Sequence, residues 1–230
     1  MVAWKNGIDV SEYQGRMNWK KAKDAGIDFA YIRSNCGITP DSKTIANCEK
    51  ATAQGIPFGL YLYFKPEQDV TKQTQLLISR CKATGAKLVP MIDVEHQGGL
   101  TKAQITAAIS TVVQLLTAEF GKPPTIYTGA WFWNDKVNAK KFSQCPLWVS
   151  QYVHYSPQAF KEHPVPQDPK DWATYALGHP KPTKVSGWAT WAAWQFSAGY
   201  NGMGKTYGAQ STDLDLNIMR AGAYNTRFVL

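Results

Sequence analysis

Apolar and polar positions divide the chain into two regimes. Through the first 130 residues, short apolar runs alternate with stretches of helical period, and a glycine follows each of the latter. The runs predict strands at 7–10, 29–33, 57–64, 87–94 and 125–128, and the stretches predict helices at 18–25, 44–54, 70–84 and 101–120. The last helix is the clearest. Ile105, Ile109, Val112, Leu116 and Phe120 recur at helical spacing, and Thr101 with Gln104 makes a T-x-x-Q capping box. Beyond Thr128 the pattern changes. Strands are expected at 147–152, 190–196 and 214–218, separated by segments of weak helical period. Prolines 157, 164, 166, 169, 180 and 182 break any regular helix through 153–187.

Eight strands result, the first five alternating with helices. Parallel strands need long crossovers, and eight of them close into a barrel. The expected fold is therefore an α/β, TIM-like (β/α) barrel in a single domain over 1–230, with five βα units followed by helix-poor strands. No Gly/Ser tract divides the chain, and no wall-binding repeat lies within it.

Composition removes several classes of function. No run of about 18 apolar residues occurs, so no membrane insertion is expected. The first nine residues carry an acid and no apolar core, unlike a signal peptide. The net charge of +8 rests mostly on scattered lysines, with only five arginines, which reads as a solvated basic face and not as a nucleic-acid stripe. Cys36, Cys48, Cys81 and Cys145 contain no C-x-x-C spacing and read as free thiols. The four histidines show no H-E-x-x-H pattern, so no metal is expected.

In a (β/α) barrel, chemistry gathers at the carboxyl ends of the strands. Those positions hold Asp9, Arg33, Tyr61, Tyr63, Asp93, Glu95, Tyr127, Gln151, Tyr152, Trp194, Gln195 and Asp215. The strongest local signal is the apolar run 88–92 ending in Asp93-Val94-Glu95. Side chains two apart on a strand share a face, so both carboxyls enter one pocket. Like charges so close raise one pKa, giving one acid and one carboxylate near neutral pH, the division of labour that glycoside hydrolysis requires. A lone D-x-E is also what two loop acids look like, one capping the next helix. Asp9 and Asp215, on the first and last strands of a closed barrel, supply the context by facing the pair across the mouth.

Nine tryptophans are the second signal, because sugar faces stack on aromatic planes while Tyr hydroxyls and Gln amides bind their rims. Trp148 and Trp194, beside Tyr152 and Gln195, are the groove candidates; Trp4 and Trp19 read as packing. One rival motif is present. Residues 199–206 match the phosphate-loop pattern G-x-x-x-x-G-K-[ST] after a strand, but 207–213 lack the helical period that would present N–H groups to phosphate, so no nucleotide is expected. No G-x-S-x-G elbow marks a serine nucleophile.

The run 7–15 (Gly-Ile-Asp-Val-Ser-Glu-Tyr-Gln-Gly), the Asp93/Glu95 pair, Trp194-Gln195 and Leu214-Asp215-Leu216-Asn217 together resemble glycoside hydrolase family 25, the Chalaropsis-type lysozymes of fungi, bacteria and phages. The resemblance covers nearly the whole chain. It implies an irregular barrel with fewer outer helices than strands, and cleavage of the β-1,4 bond between N-acetylmuramic acid and N-acetylglucosamine. Carried over by motif, Glu95 is the proton donor, Asp93 its partner, and Asp9 and Asp215 the remaining acids. Tyr61 matches the tyrosine of a family Y-H-F motif, with Leu62 and Tyr63 in place of its histidine and phenylalanine. A second departure is Arg33-Ser34-Asn35-Cys36-Gly37, where many members carry a Lys-Ala-Thr-Glu-Gly type segment. The implied reaction retains the anomeric configuration, with the substrate's acetamido oxygen or an aspartate as nucleophile, and needs no cofactor. The implied partner is bacterial peptidoglycan, attacked by a monomer. A phage lysin made in the host cytoplasm is the expected setting, with a bacterial autolysin as the alternative. A chitinase-type hexosaminidase and a non-catalytic glycan-binding module are the competing functions; the former's D-x-x-D-x-D-x-E series is absent, and the latter has no use for four gathered carboxylates.

Overall fold

The structure, a computed structural model, describes residues 3–138 and 141–230. Nine strands form one sheet: β1 Trp4–Val10, β2 Phe29–Cys36, β3 Thr39–Pro40, β4 Phe58–Tyr63, β5 Met91–Asp93, β6 Thr125–Thr128, β7 Leu147–Ser150, β8 Ala193–Ser197 and β9 Asp215–Arg220. Their order is β1-β9-β8-β7-β6-β5-β4-β2-β3, and pairing of β1 with β2 closes eight of them into a barrel, leaving the two-residue β3 outside the ring.

The helices thin out along the chain, as the pattern predicted. Helices α1 Trp19–Asp24, α2 Thr44–Ala53, α3 Val70–Thr84 and α4 Lys102–Phe120 follow the early strands. The box that starts α4 is formed as read: Thr101 N–H donates to Gln104 Oε1 at 3.0 Å, and Gln104 N–H donates to Thr101 Oγ1 at 3.4 Å. The helix has the length and apolar content of a membrane span, yet Ile105, Ile109, Val112, Val113 and Leu116 are buried in the core. A fifth helix, α5 Ala130–Lys136, is absent from the sequence reading because its seven residues are too few to establish a period. The proline-rich stretch holds only two six-residue helices, α6 Pro157–Glu162 and α7 Trp172–Leu177, the first opening on its proline.

One expectation is corrected. The last strand is antiparallel to both neighbours, pairing with β1 and β8 in opposite sense, so the barrel is not all-parallel. Asp215 begins β9, and in a parallel barrel it would lie at the far end from Asp9. The reversal makes Asp9 and Asp215 direct partners across the ladder.

Alternation along the strands separates two apolar layers. Ile8, Leu60, Ile92, Ile126, Val149 and Leu216 face the helices, while Phe29, Tyr31, Met91, Trp148 and Met219 fill the barrel. Gly7 makes room for that filling: a Cβ there would sit 2.3 Å from the Phe29 ring. Phe228 from the C-terminal segment packs into the same cluster, its carbonyl accepting from Val89 N–H at 2.7 Å. The four cysteines are free, and burial pushes the Cys48 and Cys145 thiols up to about 12.

Candidate active site

Four acids meet at the carboxyl end of the barrel. Asp9, Asp93, Glu95 and Asp215 line a common pocket of about 200 Å³ with Arg33, Tyr61, Tyr63, Tyr127, Tyr152 and Gln195. Strand register explains the convergence, since Tyr63 pairs with Asp93, Asp93 with Tyr127, and Gln195 with Asn217. Glu95 stands two residues after Asp93, just past β5, where Val94 N–H still bonds the Tyr127 carbonyl at 2.9 Å and keeps the pair on one face. The structure brings these predicted residues together at one mouth.

Two predicted residues are not. Trp194 and Gln195 are adjacent on β8 and must point oppositely. Gln195 faces the pocket, so Trp194 faces the outer layer, fully buried, its indole N–H donating to the Gln151 carbonyl at 2.6 Å. Trp148 does point inward, but one layer below the mouth: it is fully buried, edge-on to Tyr31 with centroids 5.0 Å apart. Neither can stack on a sugar. Gln151 lines a neighbouring concavity, with its amide tied to the 181–183 loop through Lys181 O and Thr183 N.

Trp148 has a different part. Its Nε1 donates to Asn217 Oδ1 at 3.0 Å, which turns the amide so that Asn217 Nδ2 donates to Asp9 Oδ2 at 2.8 Å. Gln195 Nε2 donates to the same oxygen at 2.9 Å, its own Oε1 accepting from Tyr127 OH at 2.7 Å. Asp9 is thus held by two amides, each fixed from behind. Asn217 was missed in sequence because an Asn inside a strand reads as a weak strand former; its position in the 214–217 motif was the available signal.

Burial raises the pKa of all four acids. For Asp93 the negative charges of Glu95 and Asp9 add to the burial and carry it well above the carboxylate range; for Glu95 burial acts first and Asp9 second. Asp215 is also pushed well up, by burial and by Asp9. Hydrogen bonds from Asn217 and Gln195 oppose the burial at Asp9, and its bond with Asp215 favours charge on Asp9 and the proton on Asp215. Asp93 is different again: its Oδ1 is buried without a hydrogen-bond partner among the described residues. Arg33 is the cation of the pocket, clamped by Asp41 at 2.8 Å and Glu12 at 3.0 Å and lying 4.8 Å over the Tyr13 ring.

A second concavity of about 460 Å³ shares Glu95 and Tyr152 with the first and extends past Trp131 and Tyr155. These two rings and Tyr13, at 69, 67 and 75% exposure, are the open aromatic surfaces of the mouth. The sequence reading omitted them, although Trp131 lies three residues past the end of β6 and Tyr13 lies in the 7–15 motif. The phosphate-loop look-alike is a turn: no helix starts between Thr206 and β9, and Lys205 Nζ is satisfied by the Gln210 carbonyl of the same loop.

Such a mouth offers a raised acid, a second carboxyl lacking a donor, and aromatic walls, the equipment for protonating a glycosidic oxygen. Comparison with known proteins agrees. The family model for glycosyl hydrolases family 25 matches residues 8–204. The chain is similar to the uncharacterized protein YegX of Escherichia coli K12, 30% identical over 158 residues that cover 66% of this chain and 58% of that one. It is 29% identical to Lysozyme M1 of Streptomyces globisporus over 230 residues, covering 94% and 68%. Among solved structures, the bacterial lysozyme from Streptomyces coelicolor superposes with a TM-score of 0.73 at 27% identity, covering 96% of this chain and 94% of that one.

Proposed function

The chain belongs to glycosyl hydrolases family 25, and from that premise we propose that it is a muramidase, hydrolysing the β-1,4 bond between N-acetylmuramic acid and N-acetylglucosamine in bacterial peptidoglycan. The observation that carries the reading is the Asp93–Glu95 pair: a buried carboxyl and a half-buried one on one face of one pocket, both with raised pKa. Glu95 lines both concavities and so lies between the two halves of a bound chain. In its protonated form it donates to the bridging oxygen as the bond to the anomeric carbon breaks.

The acetamido oxygen of the muramic residue is the nucleophile in this proposal. As it attacks, its N–H becomes acidic and needs an acceptor, and Asp93 Oδ1 lacks a donor of its own. That hydrogen bond favours the charged form of Asp93 and holds the resulting oxazolinium. Glu95, now a carboxylate, takes a proton from the water that opens the ring, so two attacks on opposite faces retain the configuration. Asp9 stays as a fixed charge behind the pair. Exposed Trp131 and Tyr155 present stacking surfaces for the chain on the Glu95 side.

Identifying the new reducing end tests this directly. Digested peptidoglycan reduced with borohydride is expected to yield muramitol; glucosaminitol alone, or cleaved peptide stems alone, would overturn the muramidase reading.

A further inference from the structure

The far end of the barrel carries another groove, of about 1530 Å³, that none of this chemistry uses. It lies where β1 begins and β9 ends, opposite the acids. Trp4 and Trp191 make its aromatic wall, with ring centroids 5.7 Å apart and planes 30° apart. Arg220 lies against both, its guanidinium carbon 5.3 Å from the Trp4 ring centroid and 4.7 Å from that of Trp191.

Two independent features mark this groove as a site. The first is hydrogen bonding. Of the nine tryptophans, Trp19, Trp133, Trp148, Trp172, Trp188 and Trp194 donate their indole N–H to a protein acceptor. Among the described residues, the three that do not are Trp131, beside Glu95, and Trp4 and Trp191, which line this groove. Asn6 also lines it, and its buried Oδ1 has no donor among the described residues. Open donors and an open acceptor on an aromatic wall match a sugar, which offers a flat apolar face and a hydroxyl rim.

The second feature is charge. Each carboxylate lining the groove has a lysine: Asp24 pairs with Lys20 at 2.6 Å, Asp28 with Lys5 at 3.0 Å and Asp168 with Lys170 at 3.6 Å. Arg220 has no carboxylate partner among the described residues. Its Nε makes one long bond, 3.4 Å, to the Trp191 carbonyl, which leaves the bidentate edge of the guanidinium for an anion.

We propose that this groove is a second, non-catalytic binding site for an acidic glycan, namely a peptidoglycan strand: pyranose rings lie on Trp4 and Trp191, and a lactyl or stem-peptide carboxylate pairs with Arg220. The choice of glycan rests on the muramidase reading above. Because the groove and the acids occupy opposite ends of the barrel, the strand held here is a neighbour of the one being cut, and the enzyme stays on the wall between cuts.

The test compares Arg220→Gln and Trp191→Ala with the unaltered chain, each checked for cooperative melting, in two assays: pelleting with purified insoluble peptidoglycan, and turnover of a short soluble glycan fragment. Loss of one charge-assisted contact is expected to weaken pelleting roughly tenfold, with turnover of the short fragment unchanged. Amidation of the peptidoglycan carboxyls is expected to weaken the unaltered chain by a similar factor and to leave Arg220→Gln where it was. Should Trp191→Ala fail to fold, titration of the unaltered chain with a soluble muropeptide, read at the Trp4 and Trp191 indole N–H resonances, takes its place, and both resonances are expected to move. Pelleting unchanged in folded Arg220→Gln, insensitivity to amidation, or static Trp4 and Trp191 resonances would each overturn the proposal. The catalytic reading fails separately: a chain that pellets through Arg220 yet releases no reducing ends would keep this site and lose the muramidase.

Discussion

Asp93 and Asp9 sit at the same mouth, each only 7% exposed, and differ in what holds them. Asp9 accepts two amide hydrogen bonds on one oxygen and shares a bond with Asp215; Asp93 has an oxygen with no donor and a second carboxyl, Glu95, beside it. Burial raises both, but at Asp9 the donors work against it and at Asp93 the neighbouring charges work with it. Depth in the barrel therefore does not decide which carboxyl does chemistry. A carboxylate already supplied with donors is a fixed charge, whereas one left without them gains most from a substrate N–H.

The sharpest way to break this comparison is to remove the proton from the second pair. Glu95→Gln keeps shape and loses the acid, and turnover of peptidoglycan is expected to fall roughly 100-fold or more, with Asp93→Asn similarly severe. Near-normal turnover in either variant would dissolve the distinction. A smaller effect is expected behind Asp9. Trp148→Phe keeps the aromatic packing but removes the N–H that orients Asn217; kcat is expected to drop by roughly fivefold, the value of one hydrogen bond of about 1 kcal/mol, with KM little changed. Asn217 lowers the Asp9 pKa, so the acid limb of the pH–rate profile should move to higher pH. A variant with an unmoved limb would make Trp148 mere packing.

Stability sharpens the comparison further, with a smaller signal. The folded-state pKa of Asp93 is raised above its unfolded value, so its contribution to stability is full below about pH 4 and is lost as pH rises through the folded value. Asp93→Asn should melt like the unaltered chain in acid and become the more stable of the two toward neutrality, by roughly 2–4 °C for about 1 kcal/mol in a chain of this size. A variant less stable at pH 7 would mean that the charge is favoured where it sits. The smallest effect belongs to the phosphate-loop look-alike: Lys205→Ala should leave hydrolysis unchanged, and ATP binding that this change abolishes would revive the motif.

Much of this was legible before the structure. The D-x-E at the end of an apolar run and the T-x-x-Q opening of α4 are local signals, carried by spacing within a few residues: the two carboxyls share one pocket, and the box caps α4. What escaped depends on neighbours remote in sequence. Nothing in 214–220 says that β9 runs against β1, although that reversal is what brings Asp215 to Asp9. Trp148 and Trp194 looked alike as strand tryptophans beside polar residues; alternation alone could have removed Trp194 once Gln195 was placed in the mouth. The depth of Trp148 follows from the barrel's layering, which needs the register of β7 against β6 and β8. Trp131 stands in the first turn of the seven-residue α5 and Tyr155 on a loop, and neither segment is long enough in period to say which way its ring faces.

The stereochemistry of the product tests the division between the two pairs most directly. In proton NMR at early times, before mutarotation, the new muramic reducing end is expected as the β anomer, since the acetamido group and water attack opposite faces in turn beside Asp93 and Glu95. An α product would contradict it: inversion requires a water held between carboxyls roughly 6.5–9.5 Å apart, and the base would then be Asp9 or Asp215, from the pair assigned here to a fixed charge.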